Sequence, residues 1–141
     1  MTNQIASSRI WTVLKFGGTS VAKPENWAVI AKLAKARLKQ DKPGKGKVLI
    51  VHSALSGVSN ALEALPDLAL QGDVSAQIEA IKATHLSFAQ TAGLDGAALL
   101  DSQFRTLDRL AAGIALIGEA SPRVRAELLA LGEQMASALG L

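Results

Sequence analysis

The chain has 141 residues, with 15 Lys and Arg against 12 Asp and Glu and no cysteine. That length suffices for one domain with a real core, the missing cysteine excludes disulfides and thiolate metal sites, and no apolar run reaches the length of a membrane span. Hydrophobic residues make up 49% of the chain and aromatics 4%, a balance that favours helices packed on a sheet over a β-sandwich.

The net charge of +3 hides an asymmetry: residues 1–52 hold ten Lys or Arg and two acids, residues 53–141 five and ten. The early lysines are spread over a helix face and a loop without aromatic or arginine interleaving. They predict a solvated face and no nucleic-acid partner. Residues 1–8 are polar, without a basic-then-apolar export pattern, and predict a short disordered lead-in. Together with the missing cysteine this suits a cytoplasmic protein.

Residues 10–16 are apolar, β-branched or aromatic at most positions and predict a buried strand. The strand leads into Lys15-Phe16-Gly17-Gly18-Thr19-Ser20-Val21. Gly17 and Gly18 remove side chains where the backbone turns, so their N–H groups can lie against a bound group. Thr19 and Ser20 add hydroxyl donors. Lys15 adds a positive charge at the strand's carboxyl end, where open α/β sheets bind ligands. The combination suits a phosphate or another anion. A tight turn whose glycines only relieve crowding is the competing reading. The stretch lacks the Gly-x-x-x-x-Gly-Lys-Ser/Thr order of a Walker A loop.

Pro24 and Glu25 open a helix, with Trp27, Ile30, Ala31, Ala34 and Leu38 as its core stripe. Asp41 to Lys47 reads as an exposed loop from its Pro and Gly. Val48-Leu49-Ile50-Val51 is a second buried strand, and strand, helix, strand in this order implies a parallel βαβ unit. Ser53-Ala54-Leu55-Ser56-Gly57-Val58-Ser59-Asn60 follows at the same end of the sheet as the Lys15 turn. His52 is expected to be packed and hydrogen-bonded, not catalytic, since no Ser-His-Asp pattern surrounds it.

The remainder reads as helices. Residues 60–70 form one that breaks near Pro66. Residues 74–91 form the next, with Ile78, Ile81, His85, Leu86 and Phe88 as inner candidates; His85 is a surface or packing residue. Residues 97–117 form a long helix with Leu100, Phe104, Leu107, Leu110, Ala111, Ile114 and Ile117 at three- and four-residue steps. Ser121 caps a last helix opened by Pro122 and running to about Ala138. Two strands alone make a marginal sheet with open edges. The expectation is a piece of a larger protein, or a sheet completed by another chain.

Three ordered blocks carry a family resemblance. The Lys15-Phe16-Gly17-Gly18-Thr19-Ser20-Val21 turn resembles the N-terminal signature of aspartokinases, in the amino-acid kinase family. The Ser53 to Asn60 block is similar to that family's Ser-Ala-x-Ser-Gly-x-Thr-Asn segment. Glu127-Leu128-Leu129-Ala130-Leu131-Gly132-Glu133-Gln134-Met135-Ala136-Ser137 is similar to its Gly-Glu helix. The likeness extends to the aspartokinase portion of bifunctional aspartokinase/diaminopimelate decarboxylases.

The resemblance implies the N-terminal part of an amino-acid-kinase-like αβα sandwich, α/β in class, with parallel strands and an incomplete sheet. It implies residues 1–141 as the substrate-side part of the catalytic domain, with the nucleotide half and regulatory modules lying further along. It implies transfer of the ATP γ-phosphoryl to the side-chain carboxylate of L-aspartate, giving 4-phospho-L-aspartate on the route to lysine, threonine and methionine. Lys15, Gly17, Gly18, Thr19 and Ser20 would hold phosphate, with Lys15 catalytic. Ser53 would lie near phosphate or substrate, and Ser59, where the family has Thr, would contact aspartate. Glu133 would pair with the substrate ammonium. ATP would come with Mg2+, whose ligands are not identifiable here, and the whole protein would be a homo-oligomer. The competing readings are another member of the family with a different acid substrate, and a non-catalytic interaction module.

Overall fold

A computed structural model describes residues 11–40 and 47–140. The predicted lead-in, and the predicted loop except Lys47, lie outside the described residues. The elements run β1 (Trp11–Phe16), α1 (Gly18–Val21), α2 (Pro24–Gln40), β2 (Lys47–His52), α3 (Val58–Gln71), α4 (Ser75–Thr91), α5 (Gly96–Ile117) and α6 (Pro122–Gly140). β1 and β2 pair in parallel, with Lys15 beside Val51 and Phe16 beside His52. The βαβ unit read from the sequence is therefore present, and the sheet is incomplete.

The strands are not buried on both faces, as their apolar runs suggested. Side chains alternate along a strand, and paired residues share a face. Trp11, Val13 and Lys15 with Leu49 and Val51 form an open face, where Val13 is 58% and Leu49 47% exposed. Lys47 sits over the Trp11 ring on this side, 4.8 Å from its centroid. The opposite face carries Leu14, Phe16, Val48 and His52, all half-buried against the helices, and Ile50, which stays 39% exposed. The α2 stripe is correspondingly thinner than its periodicity implied. Ile30 is buried and Trp27 and Ala34 are half-buried, but Ala31 and Leu38 are exposed.

Most of the core lies in the helices. Leu62, Leu65, Ile81, Leu100, Leu107, Ile114, Leu128 and Met135 are fully buried where α3, α4, α5 and α6 meet. Each such side chain contributes on the order of 1.5–3 kcal/mol. Leu86 and Ile117, counted inward from periodicity, are instead exposed. α3 does not break at Pro66. The helix runs through it, and the proline ring is fully buried between turns that also bury Leu62, Leu65 and Ala69. Ion pairs brace the bundle, Lys82 to Asp108 at 2.9 Å between α4 and α5 and Arg125 to Asp67 at 2.7 Å between α6 and α3.

Candidate active site

The two strand tips and one helix converge on a single loop. β1 ends at Phe16, whose carbonyl accepts from the Ser53 N–H at 3.2 Å, so the Gly17-Gly18 turn and the Ser53 loop start side by side. Gly17 has extended backbone, with φ −82° and ψ 171°, and precedes α1. The first N–H groups directed back to its carbonyl are those of Ser20 and Val21. The N–H groups of Gly18 and Thr19 therefore have no helical acceptor. A Cβ at Gly18 would lie 3.0 Å from the Ala54 carbonyl oxygen and 3.4 Å from Ser53 Oγ. Gly18 is thus glycine because the Ser53 loop approaches it. A Cβ at Gly17 would meet nothing within 4 Å. The two readings of the pair divide between its members: Gly18 relieves crowding, and Gly17 faces open space.

The other side of the loop meets α6. A Cβ at Gly132 would lie 2.9 Å from the Ala54 Cβ and 3.1 Å from Leu62 Cδ1. Ala54 is therefore held between Gly18 and Gly132, and Glu133 follows directly. Glu133 is half-buried, and no described base forms an ion pair with it. Ser53 is half-buried, its hydroxyl donating to the Ala54 carbonyl at 3.3 Å. Ser59 is the second residue of α3 and half-buried. The turn into α3 needs Gly57, whose φ is +83°, in the left-handed region that other residues rarely adopt.

Lys15, Thr19 and Ser20 are exposed. Lys15 stands on the open face of the sheet, one residue from the tip, and no described acid pairs with it. The structure thus brings Gly18, Ser53 and the Gly132-Glu133 step together, and leaves Lys15 beside this cluster on the uncovered side.

One set of contacts was not anticipated. His52 Nδ1 lies 3.0 Å from the Ser53 carbonyl and Nε2 lies 3.2 Å from Ser137 Oγ. A carbonyl only accepts, so Nδ1 carries the proton and Nε2 accepts from the Ser137 hydroxyl. The Trp27 ring meets His52 edge-on, with centroids 5.3 Å apart, and its Nε1–H donates to the Val21 carbonyl at 2.9 Å. The sequence marked His52 as a packed, hydrogen-bonded residue, which it is. Its partner could have been sought four residues after Glu133, on the same face of α6.

Two parallel strands whose tips lead into the Gly17-Gly18 turn and the Ser53 loop, with helices packed beside them, define an open α/β fold, a class whose ligands generally sit at the carboxyl ends of the strands. Residues 11–140 match the model of the amino acid kinase family, and the chain belongs to that family. A curated relative, "Aspartokinase 3, chloroplastic" of Arabidopsis thaliana, is 29% identical over 136 residues, covering 93% of this chain and 23% of that protein. The E. coli aspartokinase III structure with lysine and aspartate (T-state) matches with TM-score 0.73 and 27% identity, over 94% of this chain and 28% of that one. The same enzyme with aspartate and ADP (R-state) matches with TM-score 0.74 and 26% identity, over 93% and 28%. The chain spans about a quarter of the length of these relatives. No helix among the described residues is long and apolar enough to cross a membrane.

Proposed function

We propose that this chain is the substrate-side part of an aspartate kinase, which transfers the γ-phosphoryl of ATP to the side-chain carboxylate of L-aspartate and feeds the lysine, threonine and methionine route. The observation that carries the reading is the clamping of Ala54 between Gly18 and Gly132. Ser53 precedes that alanine and Glu133 follows Gly132, which supports reading the Ser53 hydroxyl, the Glu133 carboxylate and the Gly17-Gly18 amides as parts of one site.

In the proposed reaction a carboxylate oxygen of aspartate attacks the γ-phosphorus. The bond to the β–γ bridging oxygen breaks, and ADP leaves with that electron pair. The nucleophile is already ionised at neutral pH, so no general base is needed and no proton moves. The barrier lies in bringing two anions together and is lowered by positioning and positive charge. Lys15 neutralises phosphate oxygens, and the amides of Gly17 and Gly18, with the Thr19 and Ser20 hydroxyls, donate to them. Ser53 and Ser59 orient the substrate. Glu133 binds its ammonium group and so selects an α-amino acid. Mg2+ accompanies ATP, and the phosphates are its natural ligands. Among the described residues no three acidic, histidine or cysteine side chains converge on a metal-sized space.

Titrating L-aspartate and succinate onto the chain, followed by amide NMR, tests the assignment. Aspartate should bind, and Glu133→Gln should weaken it at least about tenfold, the cost of a lost charged partner. Succinate, which lacks the ammonium, should be indifferent to that change. Equal loss for both ligands would remove Glu133 from its role. An ADP-release assay should show no appreciable turnover for residues 1–141; turnover near that of an intact aspartokinase would refute the assignment of this chain as one part of the catalytic domain.

A further inference from the structure

We infer that His52 and Ser137 are positioning residues: their hydrogen bond fixes α6 against the β2 tip, sets the spacing between Ser53 and Glu133, and so governs affinity for an α-amino dicarboxylate. This rests on the aspartate-site reading above.

Residues four apart on a helix lie on one face, one turn along. Glu133 and Ser137 are such a pair, and His52 and Ser53 are neighbours at the end of β2. The Ser137–His52 bond therefore spans the same two elements as the proposed site, one turn further on. On the other side of Glu133, Gly132 packs directly against Ala54. α6, whose buried side is packed on α3 and α5, thus meets the Ser53 loop and the β2 tip at two points that bracket Glu133, one apolar and one polar. Without the Ser137 bond the turn of α6 that carries Glu133 loses its polar tie to the β2 tip, and Glu133 shifts relative to Ser53.

Three helical threonines show the usual alternative to such a bond. A hydroxyl in a helix usually turns back to the carbonyl four residues earlier. Thr84 does so to Ala80, Thr91 to Ser87 and Thr106 to Ser102, each at 2.9 Å. Ser137 instead reaches across to His52. The His52 tautomer that accepts this bond is fixed from the other side by the Ser53 carbonyl, on the residue to be positioned. Trp27 then ties the imidazole to the end of α1 through the Val21 carbonyl, so the bracket also reaches the helix that follows the Gly17-Gly18 turn.

A hydroxyl within hydrogen-bond distance of an imidazole also suggests a nucleophile and its base. Here the hydroxyl lies inside α6, whose surrounding N–H groups are committed to helical bonds, so no backbone oxyanion donors face it. The pair holds the helix and attacks nothing.

The test uses the 141-residue chain with Ser137→Ala and Ser137→Thr. Nitrogen shifts of His52 should show an unprotonated, hydrogen-bonded Nε2 that changes in Ser137→Ala and returns in Ser137→Thr. L-aspartate affinity should fall about three- to tenfold in Ser137→Ala, the range for one neutral hydrogen bond, and recover in Ser137→Thr. Proton–proton distances between Ala54 and Glu133 should lengthen in the alanine variant and recover in the threonine variant. A loss of thermal stability in Ser137→Ala with unchanged aspartate affinity and unchanged distances would overturn the positioning role. If the unsubstituted chain binds no aspartate, the functional reading fails by itself. The Ala54–Glu133 distances then decide the bracket: changed distances uphold it, and unchanged distances overturn it.

Discussion

Gly18 and Gly132 are there for space, and Gly57 for conformation. The distinction fixes what each substitution does. In an open helix position, Gly→Ala gains up to about 1 kcal/mol from reduced backbone freedom. Gly113 in α5 is such a position, with nothing within 4 Å of an added Cβ. Gly132→Ala would bring its Cβ within 2.9 Å of a short, immobile Ala54 methyl, and overpacking costs about 1–3 kcal/mol. Gly113→Ala should therefore raise the urea midpoint and Gly132→Ala lower it. The reverse order would mean that α6 does not press on the Ser53 loop. His85 makes a second case. It is fully buried, and its Nδ1 donates to the Ile81 carbonyl at 2.7 Å. Nε2 is then the unprotonated nitrogen, and it has no partner among the described residues. Burial lowers its pKa from the ordinary 6.5, against a smaller upward pull from the Ile81 bond. The unfolded chain takes up the proton first, so stability is full above about pH 6.5 and declines as pH falls toward the lowered folded value. His85→Leu should flatten this decline between about pH 7 and 5. An unchanged slope would show that His85 does not titrate as a buried group.

Helix ends and helix interiors obeyed different rules. The ends were readable because capping is local chemistry. Ser121 Oγ accepts from Val124 N–H at 3.4 Å before Pro122 opens α6, as read; the same chemistry at the start of α5, where Asp95 Oδ1 accepts from Ala98 N–H at 3.1 Å, was not singled out. Asp95→Ala should lower stability by about 1 kcal/mol, measured by urea unfolding; a change within error would mean the cap is satisfied by water. Interiors followed packing instead. A proline lacks the N–H for the helical ladder and costs about 3 kcal/mol in an exposed interior, which is why a break at Pro66 was expected. In α3 the ring enters the core beside Leu62 and Leu65, where burial offsets the missing bond. Periodicity likewise placed Ile117 inward by extrapolation, whereas α5 has passed beyond its neighbours by that turn and leaves Ile117 74% exposed.

Across the molecule, a helical core supports a two-stranded sheet that is covered on one side only. Trp11, Val13, Leu49 and Val51 on the open side form an exposed apolar patch. Leu49→Lys should reduce binding of a hydrophobic dye and any concentration-dependent association seen by sedimentation, while leaving the helical circular dichroism intact. Dye binding equal to that of the unsubstituted chain would show the patch to be inert. An apolar run reports that a strand has something to pack against, but not which of its faces is covered, so both strands read as buried. The residues around the site were legible because their chemistry is written locally: a strand that stops at Lys-Phe-Gly-Gly, a Ser-Ala-x-Ser-Gly loop after the second strand, a Gly-Glu step in a late helix. The Gly57 turn likewise follows from a residue type that alone tolerates its backbone angles. That Gly18 and Gly132 close on the same alanine, that Ser137 bonds His52, and that Lys15 lands on the uncovered side had no such local mark. Each depends on where distant segments come to rest, Ser137 and His52 for example lying 85 positions apart in the chain, and that is set by the packing of whole helices.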